Sequence, residues 1–302
     1  MKVVAVVVTY NRLGMLRECI ECLRNQTVSC DILIVDNHSN DGTGEYLREN
    51  SGDKLYYLDT GANLGGAGGF FHGMNWACNH DYDAAWIMDD DCFPKEDALE
   101  KLLDADEVIG GSGEYGFLAS AVLWTDGHEC CMNRQKIVKD FYRHVEWMKE
   151  GIVQINQATF VSLLFPVSTI REFGLPIKEY FIWGDDIEYT RRIALRGKKP
   201  SYLAGQSQVV HAMKENTGSD VSIDKAERIA RYRLAYRNEA YTYRRQGFKG
   251  ILLYLARCAR GILRVILHAK DHRLKRIGAV LGGMVRGIFF HPKVQFPYNE
   301  KQ

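Results

Sequence analysis

Short apolar runs alternate with amphipathic stretches over roughly the first 125 residues. Residues 3–8, 32–35, 55–58 and 85–88 are unbroken aliphatic or aromatic runs, which predicts strands covered on both faces. Between them, residues 13–26, 42–50, 68–80 and 95–105 read as helices. Strands alternating with helices at this spacing predict βαβ units, and so an α/β fold with a Rossmann-like, mostly parallel central sheet. From about 110 to 213 the pattern is more mixed, with a strand-like run at 117–123, a hairpin turn at Asp126-Gly127 and an apolar run at 159–166. A polar loop at 214–220 then leads into a helical tail that runs to about residue 290, so the chain divides into 1–215 and 216–302.

In a parallel sheet, ligands sit at the carboxyl ends of the strands. Each of the first four predicted strands ends there in a polar or glycine-rich cluster, and four clusters on one rim make one site. Asp89-Asp90-Asp91 follows a buried strand, and three carboxylates so close together are mutually repulsive unless a cation joins them. Alternate residues of extended chain project to one side, so Asp89 and Asp91 can share a hard cation such as Mg²⁺ or Mn²⁺. The plainer account is an acidic loop capping the helix at Lys95. Asn63, Gly66, Ala67 and Gly68 belong to a glycine-rich turn that opens a helix, which lets an anion approach backbone N–H groups. Close helix packing explains glycines equally well. The spacing is not that of a dinucleotide fingerprint, and the turn after the first strand has no glycine, so hydride transfer is a distant reading.

Asp36 is placed to accept a hydrogen bond from a pyrimidine base, with Thr9 and Arg12 around the base and diphosphate; turn and capping chemistry is the alternative. Asp185, Asp186 and Glu188 open a predicted helix. Capping accounts for one of them, whereas an ionised carboxylate facing a hydroxyl can act as general base. Trp183 offers an apolar face for a sugar ring or a core tryptophan, and His211, after another apolar run, is a candidate third metal ligand.

Composition adds two points. Eight cysteines without a recognisable secretory signal suggest a reducing compartment, and Cys19-x-x-Cys22 lacks a second half of the spacing zinc requires. The net charge of +1 conceals an asymmetry: residues 244–293 hold twelve Lys or Arg against one acid, Asp271. Residues 248–269 are apolar but interrupted by Lys249, Arg257, Arg260 and Arg264, the last three on one helical face. No apolar run reaches the roughly 18 residues that span a bilayer. A basic amphipathic helix on an anionic membrane surface fits, as does a tail packed on the body with its arginines in solvent.

In order along the chain, Val7-Val8-Thr9-Tyr10-Asn11-Arg12, Val35-Asp36-Asn37, Asn63-Leu64-Gly65-Gly66-Ala67-Gly68-Gly69, Asp89-Asp90-Asp91, Asp185-Asp186-x-Glu188 and His211 resemble the family-2 inverting glycosyltransferases of GT-A fold. The set spans about residues 1–215 and looks most like bacterial galactofuranosyltransferases, next like rhamnosyltransferases using dTDP-rhamnose. The resemblance implies a UDP-galactofuranose donor bound mainly by 1–110, including Asp90, and an acceptor half at 111–215. It also implies Mn²⁺ or Mg²⁺ on Asp89, Asp91 and His211, Asp186 as base, and Trp183, Asp185 and Glu188 at the acceptor. A lipid-linked or oligosaccharide acceptor, a cytoplasmic, peripheral place on the inner face of the plasma membrane and no nucleic-acid partner are expected; a homo-oligomer stays open. The non-enzyme alternative is a membrane-associated glycan-binding scaffold. Arg237-Asn238 in the tail is similar to a motif of the same family, with no chemistry assigned to it.

Overall fold

The computed structural model describes residues 1–52 and 54–298. In chain order these form β1 (Val3–Thr9), α1 (Leu13–Arg24), β2 (Asp31–Asp36), α2 (Thr43–Asn50), β3 (Leu55–Asp59), α3 (Gly65–Asn79), β4 (Ala84–Asp89), β5 (Cys92–Pro94) and α4 (Ala98–Ile109). Next come β6 (Leu118–Leu123), β7 (Lys136–Ile137), α5 (Val145–Lys149), β8 (Ile152–Gln157), β9 (Leu163–Pro166), α6 (Val167–Phe173), α7 (Asp185–Arg191) and β10 (Ser201–His211). Three helices follow, α8 (Ile229–Arg244), α9 (Gly247–His268) and α10 (Arg273–Phe289).

The strands join in one sheet of order β3-β2-β1-β4-β9-β6-β10-β8-β7, with β5 pairing β10 from the side. β3, β2, β1 and β4 are parallel, so the ends of all four lie on one rim. The chain lays β2 and β3 on one side of β1 and β4 on the other, which makes the β1–β4 junction a switch point where the turns diverge and leave a crevice. Both faces are covered, as the unbroken apolar runs require. Val3, Ala5 and Val7 pack with Leu16, Ile20, Leu47 and Leu102, whereas Val4, Val6 and Val8 pack with Phe70, Met74, Ile170 and Tyr189. The architecture is the mixed α/β, mostly parallel sheet that the sequence predicts.

The 159–166 run is strand only from Leu163. Before it, Ser162 takes φ +60°, its Oγ accepting from the buried Trp86 indole at 2.8 Å and meeting Ser120 Oγ at 2.6 Å. Asp126-Gly127 forms the turn expected of it, with Gly127 at φ +83° and Leu123 bridging Glu129. The predicted helix at 95–105 begins at Ala98, after Asp97, so Asp91 caps nothing.

Beyond β10 the helices α8 to α10 enclose their own apolar cluster around Tyr232, Tyr236, Tyr254, Val265 and Val280. They are tied back to the sheet. After α10 the chain returns to α3, where Asn79 Nδ2 donates to the Tyr298 carbonyl at 2.8 Å, and Leu175 N–H donates to the Gln295 carbonyl at 2.8 Å. Among the described residues no helix is long and apolar enough to cross a membrane.

Candidate functional site

Thr9, at the end of β1, lies beside the end of β4, with Val8 in register with Asp89. Thr9 Oγ1 donates to Asp90 Oδ2 at 2.7 Å, and Arg12 Nη1 donates to Asp90 Oδ1 at 3.1 Å and Asp91 Oδ2 at 2.6 Å. Thr9 is 2% exposed, so it supports Asp90 from beneath rather than facing a ligand, while half of the Arg12 side chain is open to solvent. The acids are strongly perturbed. Burial, then the charges of Asp91 and Asp90, push Asp89 well up; burial takes Asp90 to about 6 against the pull of Arg12. Asp91 goes the other way: burial opposes ionisation, but His211 and Arg12 hold it below the usual carboxylate range.

His211 arrives by a route the sequence does not announce. The three-residue β5 pairs antiparallel with the end of β10, setting His211 opposite Cys92, and Ala212 N–H donates to the Asp91 carbonyl at 2.8 Å. His211 Nε2 then lies 3.3 Å from Asp91 Oδ1. Its Nδ1 donates to Asn133 Oδ1 at 2.7 Å, an amide oriented by Nδ2 donating to Thr159 Oγ1 at 2.7 Å. Burial disfavours a charged imidazole, yet Asp91, Cys130 and Asp89 raise it to about 10. Asp91 Oδ1 is buried and has no hydrogen-bond partner. Asp91 and His211, its imidazole oriented by an amide behind it, bring together one carboxylate and one nitrogen donor of the kind a divalent cation takes. Asp91 and His211 meet; among the described residues no third acid, His or Cys completes a coordinating trio with them, so Asp89 stands apart from the expected set in this arrangement.

On the neighbouring strand, Asp36 is 1% exposed and raised by burial. Its Oδ1 accepts from the Ser39 backbone at 3.0 Å and hydroxyl at 2.5 Å, while Oδ2 has only a long contact from the Tyr57 hydroxyl at 3.5 Å. Asn37, beside Asp36 in the cluster after β2, joins this strand to the glycine loop: Nδ2 donates to the Gly65 carbonyl at 3.1 Å and Oδ1 accepts from Leu64 N–H at 3.2 Å.

The glycines of that loop have separable jobs. Gly65 has φ +70°, and a Cβ there would lie 2.0 Å from the Phe181 carbonyl oxygen. Gly69 and Gly73 let α3 lie on β1, where a Cβ would sit 2.4 Å from Val8 and 2.3 Å from Val6. Two expectations are corrected here. Ala67 is fully buried and its N–H donates to the Phe181 carbonyl at 3.3 Å, and Gly68 is buried against Leu64, so both pack the loop and neither N–H face is offered to an anion. Asn63 remains exposed with its Oδ1 accepting from Gly65 N–H at 2.9 Å, and Gly66 has nothing within 4 Å of where a Cβ would be. This contrast predicts that Gly69→Ala destabilises the fold by about 1–3 kcal/mol through overpacking. Gly66→Ala is expected to leave the melting temperature unchanged or slightly higher while raising the KM for the donor, and an unchanged KM would remove Gly66 from the binding surface.

The Phe181 carbonyl resting on Gly65 and Ala67 also brings the second acidic group to the same rim. Phe181 and Trp183 both take φ +64° and Gly184 φ +90°, a run of left-handed residues that ends at α7. It is held from the tail. Asn238, fully buried in α8, donates from Nδ2 to the carbonyls of Tyr180, Ile182 and Trp183 at 3.0, 3.1 and 2.8 Å, and Arg237 Nη2 donates to the Glu179 carbonyl at 2.7 Å. The Arg237-Asn238 pair therefore has a job: it clamps the backbone from which α7 starts.

The three acids of α7 are not equivalent. Burial, followed by the charge of Asp186, pushes Asp185 up to about 8, and burial alone takes the more open Asp186 to about 6 against backbone N–H bonds. Glu188, expected at the acceptor, is 1% exposed and forms an interior ion pair, with Oε2 accepting from Arg192 Nη2 at 2.7 Å and Oε1 engaged by Arg196. Trp183 is half-buried, its ring 5.0 Å from that of Tyr232 and beneath Arg228 at 5.2 Å, which makes it part of the seam with α8.

Residues 4–117 match the model of Glycosyl transferase family 2. Galactofuranosyltransferase GlfT1 of Mycolicibacterium smegmatis is 25% identical over 272 residues, 83% of this chain and 85% of the relative. The protein of that name from Mycobacterium tuberculosis is 29% identical over 218 residues, 65% of each chain. Among solved structures, that of GalNAc-T7 with UDP, GalNAc and Mn²⁺ superposes with a TM-score of 0.63 at 14% identity, covering 81% of this chain and 48% of the other, a likeness of fold alone. With the rim of acids, the glycine loop and the sheet order already in place, these matches identify residues 4–117 as a glycosyl transferase family 2 domain, in a chain of GT-A fold.

Proposed function

We propose that the chain transfers one sugar, galactofuranose from UDP-galactofuranose, with inversion, onto a lipid-linked cell-surface glycan, working as a peripheral protein at the inner face of the plasma membrane. The relatives matched over most of the chain support the donor. The observation that carries the reaction is the Phe181 carbonyl seated on Gly65 and Ala67, because it joins the nucleotide-side loop to the segment that bears Asp186.

In this reading Asp36 accepts from the base, Arg12 and the Asn63–Gly66 turn face the diphosphate, and Asp186 faces the acceptor. Asp186 removes a proton from the acceptor hydroxyl as that oxygen bonds the anomeric carbon, the bond to the diphosphate breaks on the opposite face, and UDP leaves. A divalent cation held by Asp89, Asp91 and His211 would neutralise the departing diphosphate. Arg12, half exposed and held 2.6 Å from Asp91 Oδ2, supplies a second positive charge on the same rim.

The test is nucleotide release from a panel of nucleotide sugars, with Mn²⁺ or Mg²⁺ and with glycolipid acceptors, read with product mass. UDP release from UDP-galactofuranose that stops with EDTA and returns with Mn²⁺ is expected. Release from dTDP-rhamnose alone reassigns the donor, and release indifferent to EDTA removes the cation from the reading.

A further inference from the structure

Resting on the peripheral-membrane reading above, the geometry points to a specific bilayer-docking surface: the outward arcs of α9 and α10 enter the acyl region of an anionic monolayer, and a basic groove between α8 and α10 seats a phosphate headgroup.

α9 packs on its neighbours through a narrow stripe, Gly250, Tyr254, Cys258, Gly261 and Val265. At 100° per residue, Phe248, Leu252, Leu255, Leu263 and Ile266 fall together on the side away from that stripe, and all are exposed, Phe248 by 73%. A soluble helix ordinarily hides such an arc and turns its cations to water. Here the apolar arc is left facing outward. Two of the cations expected to meet solvent or membrane face protein acids instead, Arg257 donating to Glu239 at 2.7 Å and Arg264 pairing with Asp220. α10 repeats the pattern: it is buried through Arg276, Val280, Gly283 and Gly287, and exposes Leu274 by 87%, Val285, Ile288 and Phe289.

Cations border both arcs. Lys249 and Arg260 flank that of α9, and Lys275 and Arg286 that of α10. Among the described residues none of these four, nor Arg233, has an acid partner. Arg233, Lys275 and Arg286 line one groove of about 200 Å³ with Ala230, Leu234 and Ala279. Three cations in an open groove beside apolar arcs match the layout of an anionic membrane surface, phosphate above hydrocarbon. They also argue against a second copy of the chain as the occupant, since self-pairing through this face would press like charges together.

The experiment is co-sedimentation of the full chain with phosphatidylcholine vesicles, with and without phosphatidylglycerol, alongside sedimentation velocity. Binding at least tenfold tighter to the phosphatidylglycerol vesicles is expected, weakened by salt. Leu252→Glu/Leu263→Glu should lower it at least tenfold, and Arg233→Glu/Lys275→Glu should erase the preference for anionic lipid, with melting temperature and turnover of a water-soluble acceptor unchanged in both. Absence of vesicle binding overturns the surface, as does a dimer that Leu252→Glu/Leu263→Glu dissociates without any lipid binding. Anionic preference retained in Arg233→Glu/Lys275→Glu overturns the headgroup seat. Each of these failures leaves nucleotide release intact and so is distinct from failure of the transferase reading, which would abolish release while vesicle binding persists.

Discussion

Asp186→Asn is expected to lower kcat by about 10²–10⁴-fold, the usual worth of a positioned general base, while leaving nucleotide and cation affinity unchanged. The amide preserves shape and can still accept the Ile187 N–H that now bonds Oδ1 at 2.7 Å, so the fold has no reason to respond. It cannot take a proton from a hydroxyl. The wild-type pH profile follows from the same environment: burial lifts Asp186 to about 6, and only its ionised form is a base. Turnover should therefore fall as pH drops through about 6 and be flat just above it. Burial and the charge of Asp186 push Asp185 the higher of the two, and it is also the less exposed. Asp185→Asn should cost far less turnover. The reverse ranking would move the base to Asp185, and a loss of UDP binding in Asp186→Asn would mean that this acid holds the donor.

The parallel half of the fold was legible because its signals are long. Six consecutive aliphatic residues at β1 admit only a strand buried on both faces, and the turns that follow carry the polar chemistry. What escaped was short or reciprocal. β5 has three residues and β7 two, lengths at which no period exists, yet β5 is what sets His211 against Asp91. Glu188 was misread because spacing in sequence does not tell which way a helical side chain points: two residues apart on a helix is about 200°, so Asp186 and Glu188 face opposite sides. Ala67 and Gly68 were misread for a related reason. A glycine-rich turn has the same composition whether its freedom serves a ligand or a neighbouring group, and only the positions of Phe181, Leu64 and Val8 separate Gly66 from the rest. The arginines of α9 were grouped correctly on one face, but the acids that claim two of them, Glu239 and Asp220, lie 18 and 44 residues away.

The second large effect is expected at Asn238, more than fifty residues from the acid it serves. Its amide nitrogen has two hydrogens and meets three carbonyl oxygens, those of Tyr180, Ile182 and Trp183, and its Oδ1 is held by Arg237 Nε at 2.9 Å and Nη2 at 2.8 Å. Phe181 and Trp183 sit in left-handed backbone, which costs a side-chain-bearing residue about 1 kcal/mol each unless something imposes it. Asn238 imposes it. Asn238→Ala removes the donor of the part-buried Ile182 and Trp183 carbonyls and should cost about 1–3 kcal/mol of stability. Asn238→Asp should be worse, since its carboxylate turns lone pairs toward those same oxygens. The informative measurement is turnover per folded molecule in Asn238→Ala. If the clamp positions Asp186, kcat should fall at least tenfold with donor affinity kept, because the 181–184 backbone can relax toward ordinary φ and swing the start of α7. A variant that melts earlier but turns over normally would reduce Asn238 to a packing residue, and the link between the helical tail and catalysis would be lost with it.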